Sequence, residues 1–285
     1  MQRRKFPSPE FWPGAEQLTY YLLLPALLFS AIISAQVDLA SYLGLVIPYM
    51  APFLFMGLIL LLFRKRLGQD YPAFTSIFQG AIRFNSYVGF SIALAVFGQE
   101  GLARAAMFIA LVIPLVNVMT VLVLSGGGQP GGIRILRSLV RNPLIIACVS
   151  ALFLKALEVK VLSVLIEFLS ILGRASLPLG LMVVGAALCF RKPAEDLLPI
   201  MIAGGSRLIL MPLLMFASCH ALGVTGLAHS IAVLFAALPG SPAAYVLARQ
   251  MGGDHRLMAN LTTVQILVSF VTLPIVLALE GYFAS

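Results

Sequence analysis

The residues that could do chemistry in this chain are those that interrupt its helices. Leu238 to Pro242 read LPGSP within a long apolar stretch. Proline removes a backbone donor and clashes with the preceding turn, and glycine loosens the helix further. A break there frees backbone N–H and C=O groups, and the half-helix that resumes presents N–H groups with partial positive charge. Such an end suits an anion. A second interruption is legible at Asn85 and Ser86, with Gly89 close by, in RFNSYVGFSIA; asparagine competes for nearby backbone and glycine is a poor helix former. The candidate ligand set is therefore Asn85, Ser86, Gly89, Pro239, Gly240, Ser241 and Pro242. Asn117 either faces the same place or makes an inter-helix hydrogen bond, and Gln265 and Thr262 are weaker candidates of the same kind. Two cations accompany the breaks. Arg83 adjoins the first, while Arg207 sits mid-span in GGSRLILMP, where a charge is costly and usually functional. Arg207 would either draw in an anion or brace the bundle as a standing cation. Each break alone is also compatible with an ordinary proline kink.

What must position these residues is a membrane. The 285 residues are 60% hydrophobic and 11% charged, with a mean hydropathy of +1.01. An ordinary soluble domain is about a quarter charged. Apolar runs long enough to cross a bilayer fall near 18–35, 41–63, 73–97, 102–124, 143–159, 161–189, 197–219, 229–251 and 257–280. The longest break between them, SGGGQPGGIRILRSLVRN, divides the chain near its middle. The net charge of +8 is dispersed in short clusters between spans, which fits membrane orientation and not a nucleic-acid groove. With the amino terminus inside, Arg3, Arg4, Lys5, Arg64, Lys65, Arg66, Arg134, Arg137, Arg141, Arg191, Lys192, Arg249 and Arg256 are all internal, against Lys155 and Lys160 outside.

The two halves look like copies. LLLPALLFSAII around Pro25 matches RASLPLGLMVVGAA around Pro178, and VFGQEGLARAAM matches QMGGDHRLMANL, pairing Gly98 with Gly252. The same offset lays Asn85 on Pro239, so the breaks themselves form a pair. Five spans per repeat is an odd number, so the repeats are expected to be inverted, as in secondary transporters with a site at the repeat interface. The expected organisation is a cytoplasmic segment 1–17, a first repeat 18–124, a cytoplasmic linker 125–142 and a second repeat 143–283. The partner of 143–159 would fall before Met1, so 1–17 is expected to be the inner end of an absent first helix and its loop. A secretory signal is disfavoured because the run 18–35 has an internal counterpart.

Other chemistries find little support. Cys148, Cys189 and Cys219 are scattered and lack metal-ligand spacing, and His220, His229 and His255 fall at span ends. Glu167 and Arg174 share one helix face, two turns apart, and suit a structural or subunit contact. HExxH, Walker A and the serine and aspartyl intramembrane-protease signatures are absent from the sequence, so no enzyme, cofactor or metal is expected.

The stretches YYLLLPALLFSAI, RFNSYVGFSIALAVFG, RNPLIIACVSALFL, ASLPLGLMVVGAAL and PAAYVLARQMGGD together resemble the auxin efflux carrier family, which includes plant PIN proteins and bacterial members linked to malonate and other carboxylates. The resemblance covers essentially the whole chain. It implies ten helices as two inverted five-helix repeats, a scaffold of helices one, two, six and seven, and a mobile transport domain with crossed helices four and nine. It further implies elevator-like motion and dimerisation through the scaffold. Ser91 stands where family members often carry proline. The expectation is an all-α, multi-pass protein of the inner (plasma) membrane, nine helices of ten, moving a small organic anion such as a malonate-like or auxin-like carboxylate. The alternatives are a sodium-coupled carrier like the bile-acid symporters, or a non-transporting membrane sensor.

Overall fold

The computed structural model describes residues 7–8, 10–35, 39–126, 140–188 and 196–284. Within them every regular element is a helix. We number these α1 (Phe11–Ser34), α2 (Leu39–Gly44), α3 (Val46–Phe63), α4 (Tyr71–Ile82), α5 (Ser86–Leu124), α6 (Pro143–Ala156), α7 (Ser163–Arg174), α8 (Ser176–Ala186), α9 (Leu197–Ala221), α10 (Gly226–Ala237), α11 (Ala243–Met251) and α12 (His255–Ala284). Six helical stretches are long and apolar enough to cross a bilayer, and the 54-residue stretch 71–124 is long enough to do so twice. Two shorter apolar helices, α6 and α10, complete the set. The chain is an all-α, multi-pass membrane protein.

Sequence punctuation accounts for the ends. Asp70 caps α4, its carboxylate accepting from the Ala73 amide at 2.9 Å, with Pro72 in the first turn. Asn142 caps α6 in the same way through the Leu144 and Ile145 amides, again just ahead of a proline. The first span begins at Phe11, earlier than expected. Pro13 lies in the first turn, where no hydrogen bond is lost, so the helix runs back through FWPGAEQ. Most of the expected linker, 127–139, lies outside the described residues, as does Cys189.

Prolines inside the spans leave local signatures. Two π-helical turns occur, Thr19–Leu23 and Ser206–Leu210, and each ends two residues before a proline, Pro25 and Pro212. The missing amide and the ring clash widen the turn ahead. In α3, Pro52 cannot bond the carbonyl of Pro48, and the Ser218 hydroxyl from α9 donates to that carbonyl at 2.9 Å. No water can do this in a bilayer, so a neighbouring helix must.

The helices form two groups. α1, α6, α7 and α8 pack mainly on one another; the rest surround α4, α5 and α10, with α11 lying against α12 and α4. Lipid tails are as apolar as leucine, so close packing and buried hydrogen bonds hold such a bundle together. Gly173 is one such contact: a β-carbon there would lie 2.6 Å from the Leu27 backbone. The two glycines paired by the sequence offset both take positive φ. Gly98 interrupts α5 at φ +64°, and Gly252 ends α11 at φ +79°. Both matched glycines occupy the left-handed region that other residues avoid.

Candidate anion site at the crossed helix breaks

Both predicted breaks are present. α4 ends at Ile82, Arg83 is extended (ψ 143°), and α5 begins at Ser86. Leu238 is likewise extended (ψ 145°), as expected before proline, and α11 begins at Ala243. The breaks meet: the Asn85 amide donates to the Pro239 carbonyl at 2.9 Å. Asn85 is fully buried, and its side-chain oxygen caps α5 through the Tyr87 and Val88 amides at 3.2 and 3.4 Å.

Arg207 takes the opposite ends of the broken helices. Its guanidinium, fully buried, donates from Nε to Leu238 O at 2.7 Å, from Nη1 to Ile82 O at 3.4 Å and from Nη2 to Phe235 O. These carbonyls close α4 and α10, where the helix dipole is negative. The cation also lies over the Phe84 ring at 5.5 Å and the Phe53 ring at 6.0 Å. Of the two readings offered by its sequence position, the geometry is that of the brace. Gln265 adds a second strap, accepting from the Gly240 amide at 2.9 Å and donating to Gly80 O at 3.0 Å. A β-carbon at 240 would meet the Gln265 side-chain oxygen at 2.5 Å, so a larger residue there would displace this strap. Gly89 allows a similar approach, with Leu238 and Phe235 where its side chain would be.

With the C-terminal ends occupied, the N-terminal ends face a cavity. A volume of about 60 Å³ is lined by Arg83, Ser86, Tyr87, Asn117, Ser241 and Pro242, with Glu16, Tyr20, Leu24 and Asn142 opposite. Arg83 Nη1 donates to Asn117 Oδ1 at 3.2 Å. Its Nε is buried and has no partner among the described residues. The cavity continues into a vestibule of about 570 Å³ bounded by Pro13, Gln17, Arg141 and Gln250. On the other flank of α11 a cleft of about 650 Å³ is bounded by Val184, Tyr245, His255 and Thr262.

The predicted residues therefore divide. Arg83, Ser86, Asn117, Ser241 and Pro242 line the cavity; Asn85, Gly89, Pro239, Gly240 and Arg207 lie behind it and hold the breaks together. Glu16, Tyr20, Tyr87 and Asn142 had not been singled out as site residues. Glu16 is the instructive omission, since a lone acid at the head of an apolar run was expected in the cytoplasmic segment. The end-of-span histidines are engaged elsewhere: His229 Nδ1 lies 3.0 Å from Glu280, His220 stacks on Phe216, and His255 meets Tyr245 edge-on.

Two discontinuous helices meeting beside a polar cavity in a multi-pass bundle form an arrangement that secondary transporters use. Residues 132–277 match the family described as membrane transport protein. An uncharacterized transporter of Methanothermobacter thermautotrophicus is 26% identical over 255 residues, covering 88% of this chain and 83% of the relative. The chain belongs to that family, the auxin efflux carrier type of transporter.

Proposed function

We propose that this protein is a secondary carrier that moves a small organic carboxylate across the inner membrane by alternating access. The observation that carries this is the division of helix ends. Arg207 takes the carbonyl ends of α4 and α10, while the first turns of α5, already capped by Asn85, and of α11 border one cavity that Arg83 also lines. The positive ends of two helix dipoles and the Arg83 cation give that cavity a field that suits a carboxylate. The barrier beyond the cavity is thin. Leu24 lines it, whereas Leu27, one turn further along α1, lines a cleft that opens at the opposite end of the bundle. A modest shift of the crossed helices against α1 and α6–α8 would transfer the site from one side to the other, which fits an elevator-type movement. The exposed Val164, Phe168 and Ile171 of α7 give the scaffold an apolar face for lipid or for a second copy in a homodimer.

Uptake and exchange of labelled carboxylates, malonate and indole acetate among them, in proteoliposomes test the proposal. Arg83→Gln, Asn85→Ala and Pro239→Ala should each lower the rate at least tenfold at matched incorporation. Parental rates in the latter two would remove the crossed breaks from the mechanism. Ligand-induced thermal stabilisation without uptake or exchange would point instead to a sensor.

A further inference from the structure

A second cavity, at the opposite end of the bundle, is larger than the one at the breaks. It measures about 630 Å³ and lies between α1 (Leu27, Ser30, Ser34), α7 (Ser170, Arg174) and the stretch of α5 around Gln99 and Glu100. The first half of α1 lines the vestibule and its second half lines this cleft, so the two open on opposite sides. Arg174 lies eleven residues from the start of α7, roughly 16 Å along the axis at 1.5 Å per residue. That depth is near the middle of an apolar core about 30 Å thick.

Three other charged groups approach the cleft. Glu100 is engaged by Arg104, whose Nε and Nη2 donate to it at 3.1 and 2.8 Å. Lys155 is spent on the end of α1, donating to Ile32 O at 3.1 Å and to Ala35 O. Arg174 is exposed to the cleft and makes no ion pair or hydrogen bond among the described residues. A guanidinium at that depth is tolerated when it faces water and retained when it has something to hold. The surrounding side chains supply hydroxyls and an amide: Ser34 is exposed, Ser170 half-buried, and Gln99 faces them from α5.

We propose that this cleft is a second anion-binding station, with Arg174 as its cation and a small carboxylate as its ligand. The station rests on charge and water access in the cleft alone, so it stands or falls separately from the crossed breaks. It would receive the anion on the far side of the Leu24–Leu27 barrier and hold it at mid-membrane depth. Arg174 therefore has a ligand-binding role beyond the subunit contact that its spacing from Glu167 suggests.

The test needs no knowledge of the transported substrate. Ser34→Cys is introduced into a Cys189→Ser background; Cys148 and Cys219 are fully buried. Its modification is timed with an anionic and a cationic methanethiosulfonate reagent of similar size, in reconstituted full-length protein. A unit charge sharing the water-filled cleft with the thiol shifts the anionic-to-cationic rate ratio severalfold. Arg174→Gln should remove that factor, and Arg174→Lys should restore it, which separates lost charge from lost fold. Millimolar malonate or acetate should slow modification in the parent and not in Arg174→Gln. A ratio unchanged by Arg174→Gln, no modification by either reagent, or no slowing by any small carboxylate would overturn the station.

Discussion

Arg83 and Arg207 are both arginines at the crossed breaks, and they do different work. Each nitrogen of the Arg207 guanidinium donates to a backbone carbonyl, whereas Arg83 lines the cavity and bonds Asn117 there. Substitution should separate them. Arg207→Met orphans buried acceptors at about 1–3 kcal/mol each, partly offset by removing a buried charge, so a net loss of roughly 2–4 kcal/mol is expected. Its apparent melting temperature in detergent should fall well below that of the parent. Arg83→Gln should melt like the parent and fail to transport. Equal melting of the two variants would show that Arg207 is not the brace. The sequence marked both residues as costly charges but could not distinguish them. The partners of Arg207 are carbonyls 28 to 125 positions away, and a carbonyl carries no sequence signature.

At the scale of elements, the sequence offset pairs two glycines whose backbones can be compared. Gly98 and Gly252 pair by position, and both take positive φ. Neither has an atom within 4 Å of where a β-carbon would be. Alanine at either position meets strain and no clash; it should cost about 1 kcal/mol at Gly252, in the left-handed helical region, and up to about 3 kcal/mol at Gly98, whose ψ of −157° is essentially restricted to glycine. Thermal unfolding should show a larger loss for Gly98→Ala than for Gly252→Ala; an equal or smaller loss at Gly98 would contradict that difference. The breaks themselves were legible because proline, glycine and asparagine act locally. The π-helical turns ahead of Pro25 and Pro212 were not read, although the prolines that widen them stand in plain view. A proline within a span predicts disruption without saying whether it becomes a kink, a π turn or a carbonyl capped from elsewhere, as at Pro48.

For the whole molecule, the bias of Lys and Arg predicts one orientation. A single cysteine replacing Arg66 should be labelled only from the inside of sealed cells or vesicles, and one replacing Lys160 only from the outside. The reverse pattern would exchange the sides assigned to the vestibule and the Arg174 cleft. The sequence by itself determined that the chain spans a membrane repeatedly, roughly where its spans lie and that two of its helices are broken. Those properties follow from hydropathy, charge distribution and backbone chemistry, which act over a few residues at a time. Only the tertiary structure decided which broken ends meet, that Arg207 closes one set and Arg83 faces the cavity with the other. It alone brought Glu16 to that cavity and Arg174 to a cleft on the opposite side. Those outcomes depend on helices distant in sequence packing at particular rotations, and an apolar helix in lipid carries little one-sided pattern to reveal its rotation in advance.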